Sequence, residues 1–198
     1  MAEKVTDSYS QRASEYVAKL GSVGDMNPLD VALITTWGQG VAGPILDAGS
    51  GPGHWTDLLQ NLGCDTHGID IVPEFVDSAR KRFPLTAFDL GDILDLPFDA
   101  SSFGGVLAWY SLIHMRPKAR ELTFREFARV LKPGGELLVG AFLGQQDLPF
   151  DHAITEAFYW SEDGLTDHLR SAGFQVVATQ IRSSENTRPH VSVQARLS

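Results

Sequence analysis

Three carboxylates follow short apolar runs: Asp47 within "ILDAGSGPG" (45–53), Asp70 at the end of "THGID", and Asp92 within "FDLGDILDLPF". Gly49, Gly51 and Gly53 take side chains away from three of five consecutive positions, which lets a backbone turn sharply or come close to a ligand. A triphosphate loop needs G-x-x-x-x-G-K-[ST], because a lysine must neutralise the outer phosphates. After Gly53 come His54 and Trp55, and no lysine. A dinucleotide loop needs G-x-G-x-x-G with a helix N-terminus facing a pyrophosphate; here the sixth position is His54. The spacing G-x-G-x-G behind Asp47 would repel a pyrophosphate and suits a ligand carrying an ammonium group or a neutral ribose. Asp70, 21 residues beyond Gly49, stands where a carboxylate can accept two ribose hydroxyls. Asp92 beside Ile93 and Leu94 could accept from an exocyclic amine between apolar neighbours.

A second group combines imidazole, guanidinium and phenol. His114 and Arg116 follow "WYSLI" closely, Arg12 lies between Tyr9 and Tyr16, His152 falls in an aperiodic stretch, and Arg182, Arg188 and His190 lie about the last turn. An unperturbed imidazole can take a proton near neutral pH, so His114 is the candidate general base. Tyr110 and Tyr9 join it as candidate catalytic residues. Arg12, Arg116, His152 and Arg188 are candidate substrate contacts, since arginine's planar fork matches a carboxylate or phosphate and local basic groups can focus an anion in an acidic protein. The other readings are scattered surface charges, or a hydrophobic acceptor against Trp109, Tyr110 and Phe150. Trp55 fits the core stripe of its helix as well as it fits a ligand contact.

The elements that must position these groups alternate between helix and strand. Tyr9, Ala13, Tyr16, Val17 and Leu20 predict a helix over 7–20, and Asn27 with Pro28 opens a second. A strand at 45–48 is followed by a helix bearing Trp55, Leu58, Leu59 and Leu62, stopped by Gly63. "THGID", 87–90 and "GGVLAWY" give three more strands, with a helix over 73–83 between the first two. Phe124, Phe127, Ala128 and Leu131 mark the next helix, which "KPGG" stops before the strand "ELLVGAF". Residues 144–160 lack a period and read as a lid-like insertion. A helix near 162–172 and the strands "FQVVATQIR" and "HVSVQARL" close the chain, the last two pairing as an antiparallel ribbon on the sheet edge. The expectation is an α/β fold with a seven-stranded, mostly parallel sheet, helices on both faces and one domain over 1–198.

Composition narrows the partners. The chain has 16 basic and 25 acidic residues, net charge -9, which disfavours nucleic acid. The single Cys64 excludes a disulfide framework and a cysteine-cluster metal site, so a reducing compartment and no metal are expected. The N-terminus has no apolar signal core and no run is long enough to span a membrane, so a cytoplasmic monomer or homodimer is expected.

Taken in order, "ILDAGSGPG", "GIDI", "GDILDLPF", "SFGGVLAWYSLIHM", "RVLKPGGELLV" and "SAGFQVV" resemble the class I S-adenosylmethionine-dependent methyltransferases, in particular their broad small-molecule group. The resemblance implies a Rossmann-like sheet and S-adenosylmethionine as cofactor. By the same likeness Asp47, Gly49, Ser50, Gly51, Gly53 and Trp55 hold the methionine part, Asp70 and Ile71 the ribose, Asp92 and Ile93 the adenine, and Trp109 and Tyr110 surround the transferable methyl. It also implies that residues 1–40 form a helical cap over the cofactor, bringing Tyr9, Arg12 and Tyr16 to the pocket. Where the family usually carries an acid in the fourth-strand motif, this chain has Gly104, for which a structural effect alone is expected. The implied reaction is in-line methyl transfer to a small-molecule acceptor. An NAD-dependent oxidoreductase and a non-catalytic cofactor-binding regulator are the alternatives.

Overall fold

The computed structural model describes residues 2–184 and 187–198, apart from the side chains of 2–5 and 20. The helices are α1 (Ala2–Leu20), α2 (Pro28–Gly40), α3 (His54–Asn61), α4 (Pro73–Arg82), α5 (Pro117–Val130) and α6 (Glu162–Ser171), with a 3-10 turn at Val23–Asp25. The strands are β1 (Ile45–Ala48), β2 (Thr66–Asp70), β3 (Ala87–Leu90), β4 (Phe103–Trp109), β5 (Leu131–Phe142), β6 (Pro149–Asp151), β7 (Glu156–Phe158), β8 (Phe174–Ser184) and β9 (Thr187–Leu197). Seven of them form one sheet in the order β3-β2-β1-β4-β5-β9-β8. β1 to β5 pair in parallel, and β9 runs antiparallel between β5 and β8, so the C-terminal ribbon closes one edge.

The chain order reverses at β1, which pairs with β2 on one side and β4 on the other. In such sheets ligands bind beyond the carboxyl ends of the strands at that switch point. The strands beneath it are apolar on both faces because both faces are covered. On one side Leu46, Val106 and Leu137 pack with Phe124 and Phe127 of α5 and Leu165 and Leu169 of α6. Their chain neighbours Ile45, Leu107 and Leu138 turn to the opposite face, against Ile34 and Trp37 of α2 and Trp55 and Leu59 of α3.

Local signals end the elements as expected. Asn27 caps α2 by accepting from Leu29 N–H at 2.9 Å, Ser161 caps α6 by accepting from Gly164 N–H at 2.9 Å, and Gly173 follows α6 at φ 91°. Three boundaries differ. α1 begins at Ala2 rather than near 7, in keeping with the good helix formers Ala2, Glu3 and Lys4. "KPGG" does not separate a helix from a later strand: Leu131 already pairs with Phe103, the next partners are Gly105 and Glu136, and residues 132–135 loop out of the ladder. The ribbon strands run on to Ser184 and from Thr187, because main-chain pairing needs no apolar period. Residues 144–160 contain the two-stranded β6–β7 hairpin. Among the described residues no helix is long and apolar enough to cross a membrane.

Candidate functional site

The three glycines after β1 are there for three different reasons. A Cβ on Gly49 would lie 2.3 Å from Ser111 Cβ, and one on Gly53 would lie 2.7 Å from the Phe88 ring and 2.9 Å from Ala79 Cβ. Those two positions therefore let the loop press against the end of β4 and against α4 and β3. Gly51, at φ 54°, would place a Cβ with nothing within 4 Å. It is the position at which the missing side chain leaves room for a ligand rather than for the protein.

β2 holds this loop. Ile69 carbonyl accepts from Gly49 and Ser50 N–H at 2.8 and 2.9 Å, while the Asp70 carboxylate accepts from Gly51 N–H at 2.7 Å and Val72 N–H at 2.9 Å. Burial raises the Asp70 pKa to about 6, against the lowering effect of those backbone bonds. Asp47 turns into the protein and accepts from the Thr56 hydroxyl at 2.6 Å; burial lifts it to about 7, partly offset by the Thr56 bond and reinforced by the Asp70 charge. Asp92 accepts from Leu94 N–H at 2.9 Å and stands two residues beyond Leu90, the register partner of Asp70. Ile93 is buried beside it. Two carboxylates are thus set at the ends of adjacent strands, as a ribose and an adenine amine require. Ser50 Oγ, Ser111 Oγ and both His54 ring nitrogens are buried without a hydrogen-bond partner around the same loop. The open side of Gly51, the two acids and these unpartnered groups fit an adenosyl amino acid.

α1 covers this end of the sheet. Ala13, with Tyr9, Tyr16 and Val17, packs on Ile71, Val72 and Phe75, directly beyond Asp70. Burial and then the Asp70 charge push Tyr16 up to about 12; burial, Tyr16 and Asp70 raise Tyr9 well above its ordinary value. Tyr9 OH lies 2.8 Å from His114 Nε2, and His114 Nδ1 lies 2.8 Å from the Glu156 carbonyl. A carbonyl can only accept, so Nδ1 carries the proton and Nε2 accepts from Tyr9. Burial lowers the His114 pKa, the Glu156 bond opposing it.

The aromatic end of β4 divides in two. Trp109 packs in the core with Trp55 of α3 and with Ile34 and Trp37 of α2. Tyr110 takes φ 56°, a strained conformation for a side chain of its size, and its hydroxyl bonds His190 Nδ1. Burial raises the Tyr110 pKa. His152 comes within 5.2 Å of His114 between ring centroids, and burial lowers its pKa to about 4, with the charges of His114 and Arg188 adding to the effect.

Three of the four arginines in question are otherwise occupied. Arg12 bonds Glu15 and the Ala153 carbonyl, Arg182 bonds Asp30, and Arg188 bonds the Asp151 carbonyl at 3.1 Å while lying over the Phe150 ring. Arg116 stands exposed at the N-cap position of α5, where its side chain makes no capping bond. Gly104 has a steric cause: a Cβ there would lie 2.0 Å from the Ala42 carbonyl, so an acid at this place is excluded by packing, away from the reacting end. Sequence reasoning missed His54 and Ser111 as groups around the loop; His54 had one signal, its place next to Gly53, whereas Ser111 is brought to Gly49 only by the fold. Among the described residues no group of three His, Cys, Asp or Glu side chains could hold a metal ion.

Comparison with known proteins agrees with this geometry. Residues 45–135 match the family described as Methyltransferase domain. The O-methyltransferase cnsE of Penicillium expansum is 33% identical over 181 residues, covering 84% of this chain and 63% of that protein, so the chain spans less than two thirds of that relative's length. Among solved structures, the Burkholderia thailandensis 1,6-didemethyltoxoflavin-N1-methyltransferase, with its ligand and S-adenosylhomocysteine bound, superposes with a TM-score of 0.77 at 20% identity, covering 100% of this chain and 90% of that one. The [4+2]-cyclase SpnF superposes with a TM-score of 0.81 at 19% identity, covering 100% and 97%. These two likenesses carry the fold, and the second shows that the fold hosts more than one chemistry. The segment 45–135, which carries the glycine loop and the three acids, thus matches a methyltransferase domain, and the fold around it is that of solved methyltransferases.

Proposed function

We propose that the chain transfers the methyl group of S-adenosylmethionine to a small-molecule acceptor. The observation that carries this reading is the clasp at the switch point, where Asp70 holds Gly51 N–H and the side of Gly51 that would bear a side chain is open. Asp70 would accept the ribose hydroxyls, Asp92 and the Ile93 backbone would hold the adenine, and the loop 49–53 would hold the amino-acid part. The bound cofactor supplies a methyl group already activated on a positive sulfur, so the protein's tasks are alignment and exclusion of water. α1 and the β6–β7 hairpin exclude water, tied together by Arg12 on the Ala153 carbonyl. Tyr9 would face the acceptor, and His114 Nε2 would take a proton through it. Tyr110 and His190 shape the far wall.

The net charge of -9 and the aromatic wall favour a small molecule over nucleic acid, and the single Cys64 favours a reducing, cytoplasmic setting. The dinucleotide alternative has no support in the loop spacing or the comparisons. The non-catalytic alternative is separated by turnover. The test is calorimetry with S-adenosylhomocysteine: Asp70→Ala should weaken binding by about 1.5–3 kcal/mol through loss of charge-assisted hydrogen bonds. Unchanged affinity would reject the ribose assignment. Because ribose hydroxyls donate to the ionised carboxylate, wild-type affinity should rise as pH rises through about 6, and this limb should vanish in the variant.

A further inference from the structure

The identity of the acceptor can be argued from which way the protons point. His114 Nδ1–H is taken by the Glu156 carbonyl, so Nε2 must accept, and Tyr9 must spend its own proton on Nε2. The Tyr9 oxygen therefore has only lone pairs to offer a ligand, and the group it meets must be a donor. A carboxylate acceptor has no proton to give. An aliphatic hydroxyl has one, but its acidity is close to that of water and a neutral imidazole is too weak a base for it. A phenol or enol, with acidity near that of tyrosine, lies within reach of such a base.

The wall beside this dyad agrees. Phe142 meets Phe150 at 5.5 Å, His190 at 5.4 Å, Tyr110 at 5.0 Å and His152 at 6.3 Å between ring centroids. Phe142, Phe150 and His152 are only half-buried, so their rings remain available to a planar partner, which gains most from offset and edge contacts. The wall also lacks free charge: burial depresses both His152 and His190, and the neighbouring Arg12, Arg182 and Arg188 are each held by a carboxylate or a carbonyl.

We propose that the acceptor is an uncharged planar phenol or enol, its ring against Phe142, Phe150 and His152 and its hydroxyl donated to Tyr9. The inference rests on the methyl-transfer reading above. The acceptor oxygen bonds the methyl carbon as the carbon–sulfur bond breaks, the electron pair of that bond staying on sulfur and cancelling its positive charge. The acceptor's proton passes to Tyr9 as the proton of Tyr9 passes to His114 Nε2.

The experiment uses 2-naphthol, 2-naphthylamine and 2-naphthoate as probes, titrated into the protein with saturating S-adenosylhomocysteine and followed by calorimetry, with product formation from S-adenosylmethionine followed by mass spectrometry. 2-Naphthol should bind at least about tenfold more tightly than the other two, and Phe150→Ala should weaken it at least about fivefold. Tyr9→Phe keeps the ring that packs on Phe75 and Tyr16; it should weaken naphthol binding about tenfold, removing the preference over the other two probes, and slow methyl ether formation about 100-fold or more. Naphthoate or naphthylamine binding as well as naphthol, indifference to Phe150→Ala, or no naphthol binding at all would overturn the proposal. Failure to bind S-adenosylhomocysteine would instead remove the methyl-transfer reading beneath it.

Discussion

Gly51 and Gly53 differ by one intervening residue yet should fail in opposite ways. Gly51→Val puts a branched side chain into the space meant for ligand, so S-adenosylhomocysteine binding should be lost, with a folding cost of only about 1–2 kcal/mol for the left-handed backbone. Gly53→Ala drives a methyl into the Phe88 ring and Ala79, so stability should fall by about 1–3 kcal/mol. Thermal denaturation and ligand titration of the two variants separate the roles; equal binding losses with equal Tm losses would show that both glycines serve packing. The buried acid behind them has its own signature. A carboxyl whose folded pKa is raised contributes stability that is fully present below its ordinary value and lost as pH climbs through the folded one, about 7 for Asp47. Asp47→Asn keeps an acceptor for Thr56 and removes that loss. The variant should match wild type at pH 4 and exceed it at pH 8 by on the order of 2 kcal/mol, about 4–8 °C in Tm. His54 and His152, depressed to about 4, act in the opposite sense in both proteins, so the comparison cancels them.

At the scale of elements, what the sequence made legible was what repeats. The stripe Phe124–Phe127 and the run of β4 are visible because a helix face and a doubly covered strand each impose a period or its absence. "KPGG" misled because glycine and proline mark a turn without saying whether it lies between elements or inside a strand pairing. The Asp70 and Asp92 positions were readable from strand ends, whereas the Tyr9–His114 bond joins residues 105 apart and the Tyr110–His190 bond residues 80 apart, and no local pattern encodes either. Arg12 was read as a substrate contact because its type suits an anion; the structure turns it to the β6–β7 hairpin. Its pair with Glu15 is exposed and screened by solvent, so it adds little to stability. Arg12→Ala should therefore shift Tm by no more than about 2–4 °C while speeding amide exchange across 149–158 and slowing methyl transfer. Exchange that stays at the wild-type rate would mean the helix and the hairpin are not coupled through this side chain.

For the whole molecule, the site is assembled from pieces that only the sheet brings together: the loop after β1, the ends of β2 and β3, the turn after β4, and α1 laid across them. A ligand bridging these pieces stabilises the folded chain as a unit, because it binds the folded state and not the separated parts. S-adenosylhomocysteine at 100 times its Kd should add about 2.7 kcal/mol, which for a chain of this length is about 5–10 °C in Tm. NAD at the same concentration should add nothing, since Asp47 and the G-x-G-x-G spacing offer no seat for a pyrophosphate. The added protection from amide exchange should fall on 49–53, 70–72, 92–94, 110–114 and α1 together. Protection of the loop without α1 would show that the N-terminal helix covers the site in the fold but takes no part in holding the ligand, and Tyr9 would then have to reach the acceptor from a cap that closes later.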